Sequence, residues 1–410
     1  MANVLAYVPS IKKLVGLGNT SPPVDVPAVE VHYVETDPDR RARCLKHLLK
    51  ANHINYSIIS YNKDVKNYVP NNLPHALSAA YFLGATVQQL NETYDIEIKP
   101  LGPWEQSPAE LDEDWLDVKG DVRYARAYVD FFEDKLAIEF GYDWKKVALN
   151  FLFVGKEPLI NGLIGQDGSA LIRLAYAYEL DSKELAMEAL GQAGVHYSSL
   201  AKYLNDPAFT RPSPLPKGSI EDLLQRIQGD ERFQELQSSH ATADKQLPAS
   251  QEQLLLEYWN AWDLEDPTAQ FEVSQKAAVK AILTANRPDR NSFDPGLANI
   301  LITSHAVRTL LPFLPSERHV PLLRQWWLFS LATIIQGGGL QKSEYGLVID
   351  TAGKDWKYIQ HQVINSLLPK DVLSVQVVQA IQETVVTWED KRNQSLAAAV
   401  TFVDNFKKWT

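Results

Sequence analysis

Apolar residues recur every three or four positions along most of this 410-residue chain, and hardly anywhere every second position. That period is the repeat of an α-helix with one buried face, and it leaves little room for a sheet-based fold. The pattern predicts helices over Arg41–Ala51, Leu73–Leu90, Tyr124–Phe140, Leu171–Leu180, Lys183–His196, Gln251–Trp262, Pro267–Leu283, Pro295–Leu314, Leu322–Ile335, Trp356–Leu367 and Val372–Thr387. Start signals support several of them. Asp181-Ser182 precedes Lys183, Asp294 precedes Pro295, and Ser219 stands three residues before Asp222. Strand-like alternation is confined to Val4–Val8, Val29–Val34 and Gly346–Ile349. No succession of strand–helix–strand units appears, which argues against a doubly wound nucleotide-binding sheet.

Three breaks interrupt the helices: the proline-rich entry Ser21–Pro27, the stretch Pro207–Lys217 with the polar helix Ile220–Gln237, and the polar tract Ser238–Ser250. Neither half has its own domain signal, and no internal repeat or sustained heptad is present. The expected fold is mainly α. It is one irregular multi-helical domain over residues 1–410 with an internal aromatic-lined cavity, an extended N-terminal segment (1–36) and a surface excursion (207–250). A hydrophobic fraction of 45% supports a large core.

A net charge of −11 argues against nucleic acid and anionic membrane as partners, since both recruit clustered cations. The longest uncharged apolar run, Trp326–Ile335, is far short of the roughly 18 residues of a membrane span. Met1–Gly18 is interrupted by Pro9, Lys12 and Lys13 and has no signal-peptide core. Cys44 is the sole cysteine, which excludes an intrachain disulfide and a cysteine-based metal site. A cytoplasmic location is expected.

The chain has no G-x-G-x-x-G after a strand, no P-loop, no G-x-S-x-G and no H-E-x-x-H. Gly337–Gly339 follows a predicted helix and reads as a stop signal, and the glycines of Gly162–Gly168 are wrongly spaced for a dinucleotide loop. None of the nine histidines lies three or four residues from another, so no local metal pair is visible. His75 and His305 differ from the rest because each lies inside a strongly apolar predicted helix. Two readings of them stay open: a buried neutral imidazole bonded to a carbonyl, or an acid–base or ligand group.

Four blocks, in order, resemble the questin oxidase-like family. They are Asn71–Leu77 with Tyr81–Ala85, Gly120–Tyr124 with Tyr128 and Phe131-Phe132, Ala170–Ser182, and His305–Val307 with Leu310–Pro312 and Trp326-Trp327. The resemblance spans about Asn71 to Gln382. It implies cleavage of the central ring of an anthraquinone by dioxygen, in a Baeyer–Villiger-type oxidation within fungal aromatic-polyketide metabolism. Some relatives hold a non-haem iron through several histidines and a modified lysine. Of that implied set this chain keeps His75 and His305. It carries Pro70 and Asn72 where the family's first block is rich in His, and Ser169-Ala170-Leu171-Ile172-Arg173 where the family has His-Pro-Leu-Ile-His. Gln376 and Gln379 stand where the family has His and Lys.

Two imidazoles with amides and a guanidinium are a poor iron site. The expectation is therefore an oxygenase with no metal or other cofactor, using dioxygen as co-substrate on a reduced, small aromatic polyketide. A partner reductase consuming NADPH is the expected source of the quinol. His75 and His305 are the expected base and acid. Arg173, Gln376 and Gln379 are expected to hold substrate oxygens, and Tyr81, Tyr176, Tyr178 and Trp326 to hold the rings. For each aromatic the competing reading is core packing; for Arg173 it is a salt bridge to an acid such as Glu179. An iron-dependent oxygenase and a non-catalytic binding protein for polyketide intermediates are the alternatives.

Overall fold

In the computed structural model the described residues are 22–63, 66–236, 247–284, 292–340, 351, 353–368, 370–390 and 393–410. Within them, helices dominate and strands are confined to two small two-stranded pairs. Six helices build the candidate site: α1 (Arg40–Asn55), α2 (Leu73–Phe82), α3 (Gly165–Leu180), α4 (Lys183–Val195), α5 (Pro295–Leu310) and α6 (Val372–Trp388). Helix α3 is central. It packs on α4, α5 and α2, and α6 bridges α5 and α2. One contiguous apolar core runs from Val24 to Val403 and joins both halves of the chain.

Local chemistry sets the boundaries. Asp39, Ser182, Asp294 and Asp371 accept hydrogen bonds from backbone N–H groups at the starts of α1, α4, α5 and α6. Ser219 and Asp222 form a capping box at Ile220–Gly229, where Ile220, Leu223 and Ile227 bury the apolar face. The predicted Leu73–Leu90 helix is two helices, because Gly84 turns the chain at φ +94° before Thr86 caps Val87–Glu97. After Gln336, Gly338 and Gly339 adopt positive φ, in keeping with a helix stop.

Helix α3 has an unusual entry. Gln166, Asp167 and Gly168 are all left-handed. A Cβ on Gly168 would lie 2.5 Å from Thr303 Cγ2 of α5, and one on Gly165 would lie 1.9 Å from the His196 carbonyl oxygen. Glycine is needed at both places because neighbouring elements approach too closely for a side chain.

Val29–Val34 forms no strand and runs into a turn at Val34, while Val4–Val8 and Gly346–Ile349 lie outside the described residues. A short hairpin, Ile59–Asn62 with Asn67–Pro70, leads directly into α2. The segment from Val24 onward crosses the body: Val24 N–H donates to His319 Nδ1 at 3.1 Å and His32 N–H to the Glu179 carbonyl at 2.7 Å. Among the described residues no helix is long and apolar enough to cross a membrane.

Candidate active site

Helix α2 is buried on every side, its small residues Ala76, Ser78, Ala79 and Ala80 permitting close packing. His75 therefore points into protein, 2% exposed, and its Nε2 has no hydrogen-bond partner among the described residues. Burial, reinforced by the positive charge of Arg173, holds its pKa well below the ordinary imidazole value, so the ring is neutral. Its neighbour is Tyr176 of α3, with ring centroids 6.0 Å apart. The Tyr176 hydroxyl donates to Gln379 Oε1 of α6 at 2.7 Å. Burial, and then the charges of Glu179 and Glu383, push that phenol well above its usual range.

One helical turn further along the same faces lies the second imidazole. Glu179 follows Tyr176 by three residues and Glu383 follows Gln379 by four, spacings that align side chains on one helix face. His305 Nε2 of α5 lies 3.3 Å from Glu179 Oε1, and Thr309 donates to the same oxygen at 3.3 Å. Burial raises the pKa of Glu383; His305 and Arg308 pull it down while Glu179 pushes it up. Arg308 donates through Nε to Thr387 at 2.8 Å. His75 thus borders the Tyr176–Gln379 end of a polar strip on α3 and α6, and His305 meets Glu179 about one helical turn (roughly 5 Å) further along α3.

The other expected residues divide. Gln376 is buried three residues before Gln379, on the same face of α6. Tyr81 lies nearby, its hydroxyl 3.4 Å from His32 Nδ1 and its ring beneath the Arg41 guanidinium. Phe82 stacks on Tyr176 at 6.3 Å, with the rings only 16° from parallel. Tyr178 faces the other side of α3, stacked on Phe313 at 4.5 Å and edge-on to Trp144. Two positions along a helix rotate a side chain by about 200°, so Tyr176 and Tyr178 cannot share a site. Trp326 donates to the Ile300 carbonyl at 3.1 Å and lines a small apolar pocket with Leu297 and Ile334, a group containing neither histidine. A separate cleft of about 400 Å³ beside Phe209 and Leu256 also includes neither. Arg173 is paired, with Glu188 rather than Glu179.

Four of the positions where the family resemblance implies metal ligands, Asn72, His75, Ser169 and Arg173, lie beside one another. Ser169 donates to Asn72 Oδ1 at 3.0 Å, Gln192 donates to Ser169 at 3.0 Å, and Arg173 bears on His75. The groups present are an amide, a hydroxyl and a guanidinium, already bonded to one another or to the protein. Among the described residues no three His, Cys, Asp or Glu side chains gather at metal-ligand spacing. This donor set does not fit a non-haem iron.

With that geometry in place, comparison with known proteins is informative. A sequence model of the questin oxidase-like family matches residues 69–381. The chain belongs to the questin oxidase-like family. That match takes in α2 through α5 and most of α6, and hence both imidazoles, Tyr176 and Gln379. The chain is also 28% identical to the Baeyer-Villiger oxidase AgnL3 of Paecilomyces divaricatus over 218 residues, covering 50% of this chain and 45% of that protein. It is 26% identical to the Baeyer-Villiger oxidase mdpL of Emericella nidulans over 174 residues, 40% of this chain and 38% of that one. Each match spans less than half of the relative's length.

Glu179, Glu383, Arg308, Phe82 and His32 are site neighbours that the sequence reading did not assign. For the two glutamates a signal existed: Glu179 interrupts the apolar run of α3 and Glu383 extends the Gln376–Gln379 face of α6, each one turn from a residue already singled out.

Proposed function

We propose that this protein catalyses a Baeyer–Villiger-type oxidative opening of the central ring of a reduced anthraquinone, of the emodin or chrysophanol kind, by dioxygen without metal or flavin. The observation that carries the reading is His75: a neutral, buried imidazole with an unpartnered Nε2, set against Tyr176 and on one strip with the His305–Glu179 pair. The relatives named as Baeyer-Villiger oxidases support the reaction class.

The chemistry balances without another oxidant. His75 takes a proton from the quinol, and the electron-rich anion reduces dioxygen, forming a carbon–oxygen bond and then a hydroperoxide at the ring carbon. Migration of the adjacent aryl carbon to the proximal oxygen breaks the O–O bond. The distal oxygen takes a proton from the His305–Glu179–Glu383 group and leaves as water. The product is a seven-membered lactone, which water opens to a hydroxy acid. Dioxygen gains four electrons, two from the quinol and two from the migrating C–C bond. The amides of Gln376 and Gln379, buried on one face of α6, supply N–H donors for anionic oxygens in this scheme, and burial strengthens such contacts.

The test is oxygen uptake with dithionite-reduced emodin, a chelator present, and metal analysis of the same preparation. The proposal expects uptake of one dioxygen per quinol, a ring-opened product, and well under one iron per chain. It expects the oxidised quinone to be inert unless NADPH and a reductase are added. Chelator-sensitive turnover with stoichiometric iron would replace it with an iron oxygenase.

A further inference from the structure

Behind His75 lies a buried chain of alternating charge that the reaction scheme does not use. Glu133, half-exposed, meets His53 Nε2 at 2.7 Å; His53 Nδ1 meets Glu188 Oε1 at 2.9 Å; and Arg173 Nη1 donates to Glu188 Oε2 at 2.6 Å. The other arm of the Arg173 fork, Nη2, donates to the backbone carbonyl of Asn71. Asn71 is held from three further directions. Its N–H donates to the Ile58 carbonyl at 2.9 Å, and its amide donates to Asn52 Oδ1 at 2.9 Å and to the Ser57 carbonyl at 3.1 Å. Its own Oδ1 accepts from the N–H of Leu73, the first residue of α2, at 3.1 Å.

Helix α2 needs this fixture. Asn72, at its N-cap, makes no side-chain capping bond, and Pro74 supplies no N–H. The helix start is therefore set through Asn71, and His75 follows two residues after Leu73. We infer that Arg173 is a positioning residue. It spends one arm on Glu188 and the other on the Asn71 carbonyl, and so fixes the start of the helix that aims His75 at the substrate. This rests on the proposed role of His75. Arginine suits the position because its planar fork serves two acceptors at fixed angles, whereas lysine offers a single ammonium point.

The decisive variant is Arg173→Lys. A lysine keeps a cation beside Glu188 but cannot also brace Asn71. The inference expects near-wild-type thermal stability, a KM for reduced emodin within about threefold, and turnover lowered by about tenfold or more, the size of effect that misplacing a reacting group produces. Unchanged turnover, or a loss of turnover matched by a loss of affinity, overturns it. If Arg173→Lys does not fold, the pair variant Arg173→Met with Glu188→Leu removes both buried charges and takes the same readout. A second measurement is independent of catalysis: the His75 ring resonance in emodin-saturated protein. It should be a single sharp signal in the wild type and broadened or doubled in Arg173→Lys. Wild type that binds emodin but never consumes oxygen refutes the proposed reaction while leaving this signal to decide the positioning role. An identical His75 signal in both proteins refutes the positioning role alone.

Discussion

Replacing Glu188 by leucine puts the buried charge chain under the most direct stress. The change leaves Arg173, 0% exposed, with a full charge and the Asn71 carbonyl as its remaining acceptor, its Nε already lacking a partner. It also takes from His53 one of its two carboxylates. Breaking one side of a buried ion pair costs about 3–5 kcal/mol, because the surviving charge stays desolvated. With a urea slope of roughly 4 kcal/mol/M for a chain of this length, the unfolding midpoint should fall by about 1 M. Removing both partners behaves differently. Arg173→Met with Glu188→Leu exchanges the pair for apolar groups of similar volume, and such exchanges are near neutral. The double variant should therefore recover most of the lost stability while still lacking the brace on Asn71. Urea titration followed by tryptophan fluorescence measures both. A single variant that loses less than about 1 kcal/mol, or a double variant no more stable than the single, refutes the electrostatic account.

Further outcomes follow from the same geometry. Burial alone would lower the pKa of His53, but Glu133 and Glu188 overcome it and raise the value to about 10. The stability from that ion pairing is fully present below the unfolded imidazole value of about 6.5 and fades as pH rises toward 10, so His53→Gln should flatten the alkaline decline in melting temperature. Gly165→Ala would drive a Cβ to 1.9 Å from the His196 carbonyl oxygen; forced overpacking of this kind costs typically 1–3 kcal/mol and should appear as a lower melting temperature. Glu179→Gln should lower quinol-dependent oxygen uptake by about tenfold or more while leaving emodin affinity nearly intact, since it disables proton return and not ring contact.

Much of the helical architecture was legible because it rests on local rules. Periodicity located α1 to α6 to within a few residues at most boundaries, and the side chains of Ser182 and Asp294 mark the starts of α4 and α5 as expected. What escaped depended on single residues or on long-range contact. Gly84 splits the Leu73–Leu90 pattern because it takes a left-handed turn, a conformation the apolar spacing does not encode. The Ile59–Asn62 and Asn67–Pro70 strands are too short for alternation to register. For the site, apolar surroundings singled out His75 and His305 but did not say what faced them. Tyr176 and Tyr178 looked equivalent as aromatics, and only helical phase sends one to His75 and the other to Phe313. Arg173 and Glu188 are 15 residues apart on successive helices, and their pairing arises only when α3 folds against α4.

The central claim is that two imidazoles on one buried strip let a quinol react with dioxygen directly. Single-turnover oxygen uptake by metal-stripped protein, loaded anaerobically with reduced emodin and then mixed with oxygen, tests it most directly. The account predicts full wild-type activity after stripping. It also predicts a fall of roughly a hundredfold or more in His75→Ala and in His305→Ala, with emodin binding changed far less. A His75→Ala, His305→Ala double variant that reacts at the wild-type rate would contradict it, as would activity lost on stripping and restored by added iron.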